Sequence, residues 1–219
     1  IETKGRIAHG SMPFLGDSAI RHMGAVLNAL ETELYPALAA KTTSMPVVPE
    51  GAKQSTLNIN SIHGGQREPE GGGLPSPVVA DSARIVIDRR FLIEESLEEV
   101  KGEVRTLLES LQRNRSGFRY KLRELFEVAP SMTSQDAPVA AETAKAISQV
   151  LGREAHFICS PGTYDQKHID RIGKLKNCIA YGPGVLDLAH QPDEWIGVQD
   201  MQDSACVMAL VLDDIPILD

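Results

Sequence analysis

The feature that most constrains this chain is the order in which its apolar periodicity changes between residues 2 and 128. Residues 2–8 have strand character, and His9-Gly10-Ser11-Met12-Pro13 breaks it. Asp17 or Ser18 is placed to cap a helix in which Ile20, Met23, Leu27, Leu30, Leu34 and Leu38 recur every three or four residues. Residues 41–53 read as loop. Residues 55–63 read as a strand with Leu57 and Ile59 on one face. Five glycines and three prolines between 64 and 77 exclude regular structure there and predict a long mobile loop. Residues 83–91 alternate, with Ile85 and Ile87 opposite Arg84, Asp88 and Arg90. Ser96-Leu97-Glu98-Glu99 is a capping-box pattern, and Leu97, Val100, Val104, Leu107, Leu108 and Leu111 follow at helical spacing. Residues 118–128 alternate again. The order is β-α-β-β-α-β, the split βαβ arrangement of two helices on one face of a four-stranded sheet.

After Pro130 the texture changes. Residues 139–151 read as a helix, and 155–159 and 177–181 as short apolar strands of the kind buried on both faces of a parallel sheet. Residues 201–212 read as a helix apolar nearly all round, which predicts deep burial. This half resembles a strip of an α/β layer with too few helices to cover both faces of a sheet. The expected organisation is a domain over 1–129 and an incomplete α/β segment over 130–219.

The composition, 42% hydrophobic and 24% charged, supports a buried core and argues against disorder. No apolar run approaches the ~20 residues of a spanning helix. The net charge of −8 argues against binding nucleic acid through phosphate contacts. Cys159, Cys178 and Cys206 lie in apolar contexts and read as buried thiols of a reducing compartment, which places the protein in the cytoplasm. The chain opens inside strand-like sequence with no targeting pattern, which reads as a truncated or cleaved product or a cut at a domain boundary.

Chemistry is concentrated in a few loops. His190, in Ala189-His190-Gln191-Pro192-Asp193-Glu194, follows an apolar strand and a Gly-Pro-Gly turn, where α/β folds place ligands. It reads either as a metal ligand or as a surface histidine capped by Asp193, and one histidine does not make a zinc site. The loop Ser160-Pro161-Gly162-Thr163-Tyr164-Asp165 offers N–H and hydroxyl groups to a carboxylate, or is a plain strand-to-helix turn. In an extended segment His9 and Ser11 share a side, the minimal requirement for a serine nucleophile and its base, but not the full geometry. Arg90 on a polar strand face suits a carboxylate, or pairs on a solvated sheet. His22, His63, His156 and His168 show no ligand spacing.

Taken together, four motifs resemble a known family. Gly5-x-x-Ala8-His9-Gly10-Ser11-x-Pro13-x-x-Gly16, Val78-Val79-x-Asp81-x-Ala83-Arg84-x-x-x-Asp88-Arg89-Arg90, Gly162-Thr163-x-Asp165, and Tyr181-Gly182-Pro183-Gly184 with Ala189-His190-x-Pro192-Asp193-Glu194 are similar to signatures of the acetylornithine deacetylase / succinyl-diaminopimelate desuccinylase family, in the same order and across almost the whole chain. The resemblance implies a ferredoxin-like lid that dimerises, inserted in a zinc-binding α/β domain. It implies hydrolysis of the amide bond of an N-acyl amino acid or small peptide by water activated on two zinc ions, with cobalt as a substitute. By the same resemblance, His9 stabilises the oxyanion in the partner subunit, Arg90, Gly162 and Thr163 hold the substrate carboxylate, and His190 is a zinc ligand. No position here is matched to the family's other ligands, so this chain alone is expected to be inactive and to retain no metal. Pro77, Ala80, Ser18 and Gln166 depart from the family pattern and leave the acyl group and amino acid undefined. A non-catalytic dimerisation module is the alternative. A β-α-β-β-α-β RNA binder is disfavoured, because the central strands carry Leu57, Ile59, Ile85 and Ile87 rather than aromatics.

Overall fold

The structure is a computed structural model and describes residues 1–66 and 70–214. The chain forms two compact units. Ile1–Thr43 and Gln54–Glu127 make the first; Ser44–Lys53 and the residues from Val128 onward make the second.

In the first unit, strands β1 (Glu2–Lys4), β2 (Thr56–Gly64), β3 (Ser82–Arg90) and β4 (Arg119–Lys121) form one antiparallel sheet in the order β2-β3-β1-β4. Each helical crossover skips one strand: β1 reaches β2 through α1 (Ala19–Ala29) and α2 (Tyr35–Ala39), and β3 reaches β4 through α3 (Leu97–Asn114). This is the ferredoxin-like order expected from the periodicity. Ile1, Leu57, Ala83, Ile85 and Phe118 from the sheet side and Met23, Val26, Leu30, Val104, Leu107 and Leu108 from the helices form the core. Thr3 is fully buried among them, and its hydroxyl donates to the Ala19 carbonyl at 2.8 Å, which satisfies a group that would otherwise be costly to bury.

Local signals act where the sequence places them. The Ser96 hydroxyl accepts from the Glu99 N–H while the Glu99 carboxylate accepts from the Ser96 N–H, a complete capping box. Ser96→Ala is expected to lower stability by ~1 kcal/mol in urea unfolding.

Several expectations are corrected. The single predicted helix through Leu38 is interrupted by a π-helical turn at Leu30–Leu34, where the Tyr35 N–H donates to the Leu30 carbonyl. Pro36 has no N–H to continue the regular ladder. β1 ends at Lys4, because Gly5 turns to donate its N–H to Asp81 and Arg6 pairs with Asp17 instead of a sheet neighbour. β4, at the sheet edge, has only the three residues of β1 to pair with, so the predicted strand over 118–128 shrinks to Arg119–Lys121. Part of the predicted 64–77 loop, residues 67–69, lies outside the described residues.

The second unit contains α4 (Pro138–Leu151), α5 (Gln166–Arg171) and α6 (Val198–Asp214), with α4 packed on α6. Their buried residues are small: Ala140, Thr143 and Ala146 on α4, Ser204 and Val207 on α6. The predicted strands at 155–159 and 177–181 form no ladder among the described residues; Cys159 makes only an isolated parallel bridge with Val47. A strand needs a paired neighbour along its length, and among the described residues only this single bridge pairs either segment. For the same reason α6 is not deeply buried: Met201 and Met208 are each 50% exposed and Leu212 72%, since α4 covers only one stripe. Cys206 is exposed and Cys159 and Cys178 half-buried, against the expectation of buried thiols. No helix among the described residues is long and apolar enough to cross a membrane.

Candidate active-site elements

His9 sits at the tip of a loop whose neck is tied shut. Arg6 and Asp17 exchange N–H···O bonds at 2.8 Å each, Gly5 donates to Asp81, and Ala19 donates to Ala80. Val79 donates to the Ala8 carbonyl, and His9 forms an isolated antiparallel bridge with Val78. Gly10 brings its N–H to 2.6 Å from the Pro77 carbonyl, and a Cβ there would meet the same oxygen at 2.6 Å, so only glycine allows the approach. Below the neck, His22 is buried. Arg115 Nε donates to His22 Nδ1 at 2.9 Å, which puts the ring proton on Nε2, 2.8 Å from Asp17 Oδ1. His22 is therefore a buried structural residue tied to Arg115, whose guanidinium also donates to the Arg21 carbonyl.

The exposed His9 ring is held by the residue two positions on. Its Nδ1 lies 2.8 Å from the Ser11 hydroxyl and accepts the Ser11 N–H at 3.2 Å. The shared side expected for His9 and Ser11 is thus present.

Arg90 ends β3 on the polar face, half exposed. Its Nε and NH2 donate to the same Asp88 oxygen at 3.1 and 2.8 Å. Arg89, its neighbour, points to the other face and is almost fully buried. There Arg89 donates to Glu95 at 2.6 Å and to Glu103 at 3.1 Å, and Lys41 donates to both carboxylates. Ser55 and the Leu92 N–H complete the Glu95 shell. Burial pushes the Glu95 carboxyl up, but the donors Lys41, Ser55, Leu92 and Arg89 outweigh it and hold its pKa at about 2. Arg89 also donates to the Arg90 carbonyl, so the cluster fixes the strand end that carries Arg90. Sequence reading passed over this cluster. Its only sequence signal was a second arginine in Asp88-Arg89-Arg90 on the apolar parity of the strand, with paired glutamates a few residues later.

In the second unit, Gly162 and Thr163 lie in an exposed loop. The Gly162 N–H donates to the Ser160 hydroxyl at 3.1 Å, and that hydroxyl is 2.8 Å from the Tyr164 hydroxyl, so the Gly162 donor is engaged within its own loop. His190 follows a 3₁₀ turn at Leu186–Leu188 and is exposed, with φ of +64°, a left-handed conformation uncommon for a side-chain-bearing residue. Its backbone N–H donates to Glu194 at 3.2 Å, so the loop carboxylate it meets is Glu194 rather than Asp193. The Gly162 and His190 N–H groups are thus each held by a local partner. Among the described residues, no group of three or more His, Cys, Asp or Glu side chains is placed to hold a metal ion.

The M20_dimer profile, the peptidase dimerisation domain, matches residues 1–116. The chain belongs to the M20 family. Acetylornithine deacetylase of Myxococcus xanthus is 25% identical over 95% of this chain and 50% of its own length. The chain spans about half the length of the curated relatives it matches. Among solved structures, aminopeptidase PepT of Bacillus cereus superposes with a TM-score of 0.64 at 19% identity, over 97% of this chain and 49% of that one. The M20 metallo-carboxypeptidase Sso-CP2 of Sulfolobus solfataricus does so with a TM-score of 0.61 at 18% identity, over 99% and 58%. These likenesses show the fold: an M20 lid-type sheet followed by part of an M20 α/β domain.

Proposed function

We propose that this M20 chain is the dimerisation lid and the C-terminal part of the catalytic domain of a zinc-dependent amidohydrolase, with the two joined near residue 129. The whole enzyme cleaves the amide bond of an N-acyl amino acid or small peptide in the cytoplasm. The observation that carries the reading is the His9 loop: a tied neck, a glycine that only a close backbone approach explains, and an exposed imidazole whose Nδ1 is already occupied. That leaves Nε2–H as the donor of an exposed ring, the group required to stabilise a developing oxyanion. Arg90, held by Asp88, is read as a fork for the substrate carboxylate; Gly162 and Thr163 keep the substrate-binding role that the family resemblance implies, with the Gly162 N–H engaged by Ser160 in this structure.

The described residues do not fit a two-zinc centre by themselves. His190 is one nitrogen donor, and such a site takes several carboxylates as well. The chain alone is read as inactive.

Pairing of two lids follows from the exposed edge of β2. Ile62 lies on the helix-covered parity of the sheet, opposite Ile85, yet is 55% exposed, and Ile20, 49% exposed, lies against Gly64 and Gly65 at the same edge. An apolar strip beside unpaired strand groups suits a second copy. Sedimentation velocity at micromolar concentration is expected to give twice the 23.8 kDa chain mass, and Ile20→Asp with Ile62→Asp to give a monomer. A wild-type monomer, or a variant that still pairs, contradicts this.

A further inference from the structure

We infer that Ser11 is the positioning residue that holds His9 as an Nε2–H donor. The backbone of His9 is already fixed from both sides: it bridges Val78, its carbonyl accepts the Met12 N–H at 2.9 Å, and Gly10 is anchored on Pro77. Only the side-chain torsions of His9 remain free, and an exposed imidazole has little packing to restrict them. Ser11 supplies the restriction. Its N–H has no role but donor, so Nδ1 is an acceptor and carries no proton in the neutral ring. With the Nδ1 lone pair facing it at 2.8 Å, the Ser11 hydroxyl then donates as well. Two donors from one residue fix both the tautomer and the ring plane.

The same contact argues against Ser11 as a nucleophile. Activation of a serine requires a base whose other nitrogen is oriented by a third group. Here the backbone N–H competes for Nδ1, and among the described residues no carboxylate is hydrogen-bonded to Nε2.

The significance of this assignment rests on the proposed oxyanion role of His9. Its test does not, because the tautomer is read without substrate, so a failure of the positioning and a failure of the amidohydrolase reading are separate results. Long-range ¹H–¹⁵N correlation spectra of the ¹⁵N-labelled chain at alkaline pH report the protonation of each His9 nitrogen, with His9→Gln used to assign the signals. The wild type is expected to show Nε2–H. Ser11→Ala, which keeps the backbone donor and removes the shorter contact, is expected to raise the share of the Nδ1–H tautomer about two- to tenfold, the range a single net hydrogen bond supports. Ser11→Thr, which retains the hydroxyl, is expected to restore the wild-type ratio. A wild-type Nδ1–H ring, or a ratio unmoved in Ser11→Ala, overturns the assignment. Covalent labelling of Ser11 by a fluorophosphonate probe also overturns it, because that result makes Ser11 a nucleophile.

Discussion

Arg89→Met is expected to lower the unfolding free energy of the first unit by about 3–5 kcal/mol. The methionine fills much of the arginine volume, so the loss is electrostatic rather than a cavity. Arg89 is 7% exposed and lies between Glu95, 8% exposed, and Glu103, 17% exposed. Removing it leaves the buried Glu95 carboxylate and the partly buried Glu103 carboxylate with Lys41 as the remaining cation, whose own side chain is 36% exposed. Uncompensated buried charge costs more than the ion pair contributes when intact. Urea unfolding followed by circular dichroism measures the change, and a loss below about 1 kcal/mol contradicts the account, since that is the scale of an exposed pair. The cluster also sets an acid limb. Glu95 has its pKa lowered from 4.5 to about 2, so its contribution is fully present above pH 4.5 and is lost as pH falls toward 2. The wild type is expected to lose about 2–3 kcal/mol from this group across that window, and Glu95→Gln, destabilised at neutral pH, is expected to lack this part of the acid limb.

Gly5→Ala is expected to cost about 3 kcal/mol or more and to open the His9 loop. A Cβ at this position lies 2.1 Å from the Asp17 carbonyl oxygen, 2.8 Å from the Ala19 nitrogen and 3.0 Å from the Ala80 oxygen. All three are backbone atoms, so no side-chain rotation relieves the clash. The atoms that must move carry the Arg6–Asp17 pair and the Ala19–Ala80 bond, which close the loop neck. Amide exchange is therefore expected to accelerate at Arg6, Asp17 and Ala19 before it does in α3. Exchange that rises uniformly, or not at all, contradicts the neck as the weak point.

The order of elements in the first unit was legible because each signal there is local. Ile85 and Ile87 alternate with Arg84 and Asp88, Ser96 and Glu99 form their box within one turn, and Leu107 and Leu108 recur at helical spacing. What depends on a neighbour was not legible. The length of β4 is set by β1, and the apolar segments around Ile158 and Ile179 have strand composition but, among the described residues, no strand beside them. α6 has an apolar composition that α4 alone does not cover. The site followed the same division. His9 and Ser11, two residues apart, were placed on one side by extended-chain geometry, as found. The Lys41–Arg89–Glu95–Glu103 cluster joins residues up to 62 positions apart, and no spacing announces it.

In the proposed reading this M20 chain carries the dimerisation lid and part of the catalytic domain, and its described residues do not complete a metal centre. Metal analysis of the purified chain after incubation with zinc, together with an assay on N-acetylated amino acids, tests it most directly. Less than one tightly bound zinc per chain and no turnover are expected. Stoichiometric zinc accompanied by turnover that a chelator abolishes would contradict it.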